Sequence, residues 1–172
     1  MKKGNISVFV PHQGCPCQCS FCNQKTITGQ TKAPTAEDVV HAVETALKKK
    51  NFEYEIAFFG GSFTAIERDY MISLLGAAAP YVKNGSVKGI RISTRPDCID
   101  REVLDILKEY GVTSIELGAQ SMDDGVLLAN RRGHTAKDVV NASKLIKDYG
   151  LELGLQMMTG LYMDTCEKTV QT

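Results

Sequence analysis

The chain has 172 residues, enough to bury a substantial core without disulfides. Hydrophobic residues make up 43% and charged residues 23%, the balance of an ordinary globular protein. The 20 basic and 20 acidic residues cancel, which excludes a strongly basic nucleic-acid binder, so an RNA or DNA partner would need a local patch or another domain.

The first five residues lead into a short apolar run at 6–10, which reads as a strand. It is too short for a signal-peptide core or a membrane span, so a cytoplasmic protein with no membrane partner is expected. A cysteine-rich loop follows. Thr35, with Asp38 three residues on, then starts a helix that runs to Lys48, Lys49 and Lys50, whose charges suit the negative end of its dipole.

Residues 55–59 form a second strand ending at Gly60 and Gly61, and a helix through Met71, Leu74 and Leu75 should stop at Pro80. A third strand at 89–93 is closed by Pro96. Asp100 caps the next helix, with Val103, Leu104 and Leu107 on one face, and Gly111 ends it. A fourth strand at 114–118 precedes a short helix at 123–129, a turn containing Arg131, Arg132, Gly133 and His134, and a helix over 135–149. After Gly150 a fifth strand covers 151–158, and a helix begins at Asp164.

Five β-then-α units without antiparallel hairpins imply a parallel sheet in an α/β fold, either doubly wound or curled into a barrel. No linker or low-complexity tract divides the chain, so one domain over residues 1–172 is expected. The loops after the strands carry Cys15 to Cys22, Gly60, Gly61 and Ser62, Ser93 to Arg95, Gln120 and Ser121, and Gln156. In a parallel sheet these positions share the rim at the carboxyl ends of the strands, where active sites form.

Cys15, Cys17, Cys19 and Cys22 lie within eight residues. In a reducing compartment such crowding points to metal or redox chemistry. Structural zinc usually clamps two separated ligand pairs, and no second Cys or His pair stands at a suitable distance, though zinc on some of these thiols stays open. Cys15, Cys19 and Cys22 are spaced CxxxCxxC, with Phe21 before the last cysteine. Three thiolates on a cubane cluster leave one iron for a cofactor or substrate.

At these residues the chain resembles the radical S-adenosylmethionine (SAM) superfamily. The stretches around Pro11 to Pro16, Phe59 to Thr64, Ser93 to Asp97, Glu116 to Ser121 and Arg132 to Thr135 resemble the bacterial Elongator-catalytic-subunit-like branch. The resemblance implies a partial TIM-like (β/α)6 barrel with a [4Fe–4S] cluster on Cys15, Cys19 and Cys22. It further implies SAM cleaved reductively to a 5′-deoxyadenosyl radical that abstracts hydrogen, an electron donor such as flavodoxin or ferredoxin, and tRNA as a substrate by family analogy. Cofactor contacts carry over to Phe21, Gly60, Gly61, Ser62, Ser93, Gln120, Ser121, Arg132 and Gln156. Among these, Gly60 and Gly61 would offer backbone groups and Arg132 would fork onto the SAM carboxylate. Cys17 reads as a bystander thiol, and His134 as either a helix cap or a site residue. Met157, Met158 and Met163 read as packing.

The pattern departs from the family in three places. Ser93 stands where relatives often have Glu. Tyr162 and Met163 replace Pro and Gly in a Gly-Leu-Pro-Gly-Asp-Thr stretch, and the chain stops after about five β/α units. A truncated barrel is therefore expected, with self-association through the open edge of the fifth strand. The competing reading is a non-catalytic metal-binding module or an inactive fragment.

Overall fold

A computed structural model describes residues 2–11, 19–22 and 32–172. Five strands form a single sheet: β1 (Lys2–Val10), β2 (Phe52–Gly60), β3 (Ile90–Thr94), β4 (Val112–Gln120) and β5 (Glu152–Met157). All pairings are parallel and the spatial order equals the chain order. That order settles the alternative the sequence leaves open. Doubly wound sheets reverse direction, whereas right-handed crossovers stepping one way put every helix on the same face. The result is the partial barrel.

The helices are α1 (Ala36–Leu47), α2 (Arg68–Lys83), α3 (Arg101–Glu109), α4 (Asp124–Ala129), α5 (Ala136–Asp148) and α6 (Cys166–Gln171). Their starts follow local chemistry. Thr35 and Asp38 form a reciprocal capping box on α1, and Thr135 and Asp138 form another on α5. Asp100 accepts from the Val103 N–H at 2.8 Å to cap α3. Two expectations need correction. Helix α2 passes through Pro80, because Pro80 is exposed and only one short turn follows, so a single ladder bond is forfeited. Helix α1 stops at Leu47, which leaves the three lysines beyond its last turn.

Strand alternation sorts the side chains. Ile6, Val8, Ile56, Phe58, Ile90, Ile92, Ile115 and Leu117 face the helices and are at most 5% exposed. They meet Val39 and Val43 of α1, Leu74 and Leu75 of α2, Leu104 and Leu107 of α3, and Ile146 of α5, all in one core. Full burial of each such side chain contributes about 1.5–3 kcal/mol before entropy is charged against it. Phe58 and Phe63 stack at 4.8 Å and seal the core beneath the loop after β2.

The opposite face is polar. Arg91 sits between Glu55 and Glu116, at 3.3 and 2.7 Å. At the far edge β5 pairs on one side only among the described residues, and Leu155 and Met157 are 55% and 46% exposed. Met158 and Met163 are exposed as well, so the three methionines are not packed as the sequence reading had them.

Candidate functional site

The loops after β2, β3 and β4 converge at one rim with the cysteine segment. After β2, Gly60 adopts φ +123°, and a Cβ there would lie 2.6 Å from both the Phe9 ring and the Val10 carbonyl oxygen. Only glycine fits this turn. The Gly61 N–H donates to Val10 O at 3.0 Å, tying the turn to β1.

Ser62, Thr64 and Thr94 join the next two loops through hydroxyls. Thr94 Oγ1 lies 2.8 Å from Ser62 Oγ and 2.6 Å from Thr64 Oγ1, and the Arg95 N–H donates to Ser62 Oγ at 3.2 Å. Arg95 closes on Asp97 through two bonds of 2.9 Å.

Strand β4 ends in a bulge between Gly118 and Gln120, and Gln120 sits at φ +68°. A bulge re-aims the strand end, and a left-handed non-glycine residue stores strain of a kind concentrated at functional sites. The loop after α4 then brings in Asn130 and Arg132. Asn130 is 1% exposed; its Oδ1 accepts from Ser20 Oγ at 2.8 Å and its backbone oxygen accepts from the Ser20 N–H at 3.2 Å. Its amide donates to Val126 O and Tyr162 O. Arg131, at φ +55°, turns the chain so that Arg132 points inward.

Arg132 is 7% exposed. Its Nη1 donates to Cys19 Sγ at 3.3 Å, its Nη2 donates to Gly118 O at 2.7 Å, and its guanidinium lies 5.8 Å from the Phe21 ring centroid. His134 does not cap α5, which is Thr135's role; it is buried with Nε2 at 3.2 Å from Ala119 O. Burial, then the charge of Arg132, hold its pKa below the ordinary value.

These elements enclose a cavity of about 160 Å³ lined by Cys19, Phe21, Cys22, Gly60, Gly61, Ser62, Ser93, Thr94, Arg95, Gly118, Gln120, Arg132 and Gln156. Eight of the nine residues expected to touch cofactor are therefore together. The ninth, Ser121, is 2% exposed and turns away: its Oγ accepts from the Asp123 N–H. Cys15 and Cys17 lie outside the described residues. Among the described residues no group of three potential metal ligands comes together. A larger hollow of about 510 Å³ lies beside Phe9, Phe59 and Pro34, and no cysteine lines it among the described residues.

Sequence reading missed the supports beneath the cavity. Ser93 Oγ and Gln156 Nε2 both donate to Glu116 Oε2, at 3.2 and 2.8 Å. Strand alternation would have put Glu116 on the inner face; its partners depend on register.

The radical SAM superfamily matches residues 9–172, and the chain belongs to that superfamily. Within it, the Elongator-like resemblance holds. The chain is 26% identical over 196 residues to a tRNA uridine(34) acetyltransferase of Dehalococcoides mccartyi, covering 95% of the chain and 43% of that protein. It is 37% identical over 125 residues to human Elongator complex protein 3, covering 62% of the chain and 23% of that protein. Among solved structures, the archaeal Methanocaldococcus infernus Elp3 with an N-terminal deletion superimposes with a TM-score of 0.68 at 22% identity, over 98% of this chain and 41% of that one. The chain spans about half or less of the length of the curated relatives it matches.

The residues present suit a cluster and its cofactor. Two soft thiol donors sit at the cavity, a glycine cradle admits a close approach that a Cβ would fill, and Arg132 Nε is buried without a partner among the described residues.

Proposed function

We propose that the protein is a radical SAM enzyme whose core domain, residues 1–172, binds a [4Fe–4S] cluster through Cys15, Cys19 and Cys22 and binds SAM against the cavity lining. The observation that carries the proposal is the convergence of Cys19, Cys22 and Phe21 with Gly60, Gly61 and Gln156 at the carboxyl end of a one-way parallel sheet. When bound, the cluster supplies the electron that splits SAM into methionine and a 5′-deoxyadenosyl radical.

The chain's own residues position and shield. The cradle at Gly60 and Gly61 brings backbone within reach of the cofactor, with Ser62 held behind it by Thr94. Ser93, Gln120 and Gln156 supply hydrogen-bonding groups on the β3, β4 and β5 side. Phe21 and Arg132 close the cysteine side against water.

The substrate class we assign is tRNA, on the strength of relatives named for tRNA uridine(34) acetylation. Net charge is zero, so RNA contact requires a local patch or a further part of the molecule. A cytoplasmic flavodoxin or ferredoxin would deliver the electron. No helix among the described residues is long and apolar enough to cross a membrane.

Anaerobic reconstitution tests the reading. About four irons and four sulfides per chain, an EPR signal after reduction that changes on adding SAM, and release of 5′-deoxyadenosine are expected. Zinc as the sole metal, with no SAM binding, would instead establish the metal-binding module.

A further inference from the structure

We propose that Arg132 is a positioning residue for the iron–sulfur cluster, holding the Cys19 thiolate by a charge-assisted hydrogen bond and raising the cluster's reduction potential. The inference rests on the radical SAM reading of the same cavity and deepens it.

Arg132 is a buried cation with no carboxylate partner among the described residues. Burying a guanidinium without a counter-charge is unfavourable even after relaxation. Backbone fixes its position in part: Nη2 donates to Gly118 O at 2.7 Å, and the Arg132 N–H donates to Leu127 O at 3.0 Å. The group its Nη1 reaches is Cys19 Sγ, at 3.3 Å. A thiol is a poor acceptor, whereas a thiolate on iron is a strong one that carries the missing negative charge. The burial of Arg132 therefore makes electrostatic sense with a liganded Cys19.

The geometry also bears on how the fork can be used. Nη1 and Nη2 each commit one of their two N–H donors within the protein, so the guanidinium keeps three donors for a bound cofactor. Only Nε lacks a partner among the described residues. Phe21, in the same segment as Cys19, faces the guanidinium at 5.8 Å, a cation–π contact that helps hold its plane.

The consequence for the cluster follows from charge. One-electron reduction adds a negative charge to the cluster and its thiolates, and a nearby cation with a hydrogen bond to a ligand sulfur favours that reduced form. Removing the cation makes reduction harder. Lysine would keep the charge but lose the fork, because it cannot bond Gly118 O and Cys19 Sγ with a rigid plane.

The test is an EPR-monitored redox titration of the reconstituted full chain without SAM, for wild type, R132Q and R132K, each checked for iron content and a cooperative melting transition. The midpoint potential should move to more negative values in R132Q and lie between the two in R132K. Pulsed EPR in deuterated buffer should detect an exchangeable proton on the cluster in wild type that is lost in R132Q. Because the titration contains no SAM, a shift in potential reports the bond to Cys19 independently of any loss of SAM affinity. An unchanged potential in R132Q, with the exchangeable proton retained, would overturn the inference. A wild-type chain that assembles no [4Fe–4S] cluster would overturn the underlying reading, which distinguishes the two failures.

Discussion

Arg91 Nη1 donates to Glu116 Oε1 at 2.7 Å, and through that pair the polar face of the sheet supports the cavity floor. The other oxygen of Glu116 accepts from Ser93 Oγ and Gln156 Nε2, both of which line the cavity. Replacing Glu116 by Gln keeps the shape and removes the charge that orients three donors. A hydrogen bond to a charged group is worth about 1.5–3 kcal/mol, and partial exposure puts this change at about 1.5 kcal/mol. For a chain of this length that lowers the melting temperature by about 3–6 °C. SAM affinity should fall several-fold in E116Q by equilibrium dialysis. E55Q should cost stability alone, because Glu55 holds Arg91 and Ser114 and does not line the cavity. Equal SAM affinities for the two variants would contradict this account.

Much of the fold was legible because local chemistry and periodicity agree. Thr35 with Asp38 marks a helix start by side chains alone and forms the expected box, whereas α5 is capped by Thr135 with Asp138 and not by His134. The clustering of post-strand residues at one rim follows from β-α alternation, and Gly60, Ser93, Gln120 and Gln156 line one cavity. Pro80 misled because a proline near a helix end loses only one bond, a cost that position decides. Ser121 misled because a bulge and a left-handed Gln120 turn the end of β4, and spacing alone does not reveal bulges. Asn130 and Glu116 escaped because their roles lie in long-range hydrogen bonds that only register and packing create.

Gly60→Ala should be the most damaging single methyl addition at the rim. The new Cβ would meet the Val10 carbonyl oxygen at 2.6 Å, and backbone cannot step aside as a flexible side chain can. Strain of this kind costs about 2–3 kcal/mol. Gly85 also has positive φ, +75°, yet nothing lies within 4 Å of its Cβ position, so G85A should cost about 1 kcal/mol. Urea midpoints of the two variants compare these costs directly. SAM binding should be lost in G60A and retained in G85A, and a G60A protein that matches G85A in both respects would refute the cradle.

Among the described residues β5 pairs on one side only, and a protein of these 172 residues should self-associate through that edge. Leu155 and Met157 of β5 are 55% and 46% exposed, and an unpaired strand edge offers backbone donors and acceptors to a second chain. Sedimentation velocity across a concentration series should show a growing dimer fraction, diminished by Leu155→Lys. A constant monomer mass at the highest concentration would dispose of the idea.

Stability should fall on mild acidification. His134 is 5% exposed, and burial together with Arg132 holds its pKa below 6.5. The unfolded chain therefore takes up a proton near pH 6.5 that the folded chain refuses until lower pH. Stability from this group is fully present above pH 6.5 and drains away as pH falls through the folded value. The carboxylates of Asp38, Asp123 and Asp138 are held below 3.8, chiefly by backbone N–H donors at their helix starts, so their contribution is lost in a separate, more acidic window. Urea midpoints between pH 5 and 8 should slope in wild type and flatten in His134→Gln, whatever the variant's absolute stability. A slope that survives the substitution would assign it elsewhere.

Asn130 should govern how firmly the cysteine segment is held. Its side chain bonds Ser20, Val126 and Tyr162, so three segments meet on one buried amide. Asn130→Ala strands those partners in a site too buried for water to replace them, at a cost of about 2–3 kcal/mol. The backbone bond from the Ser20 N–H to Asn130 O survives, so the segment should loosen rather than detach. Cys19, only 6% exposed when held, reports the loosening. Thiol labelling of the apoprotein, resolved at Cys19 by peptide mass spectrometry, should accelerate in N130A and to a smaller degree in Ser20→Ala, which removes one bond and leaves the other two. Reconstituted N130A should also lose iron faster in air. If N130A melts earlier while Cys19 labels at the wild-type rate, Asn130 serves only to end α4, and the cysteine segment takes its order from Arg132 and Phe21.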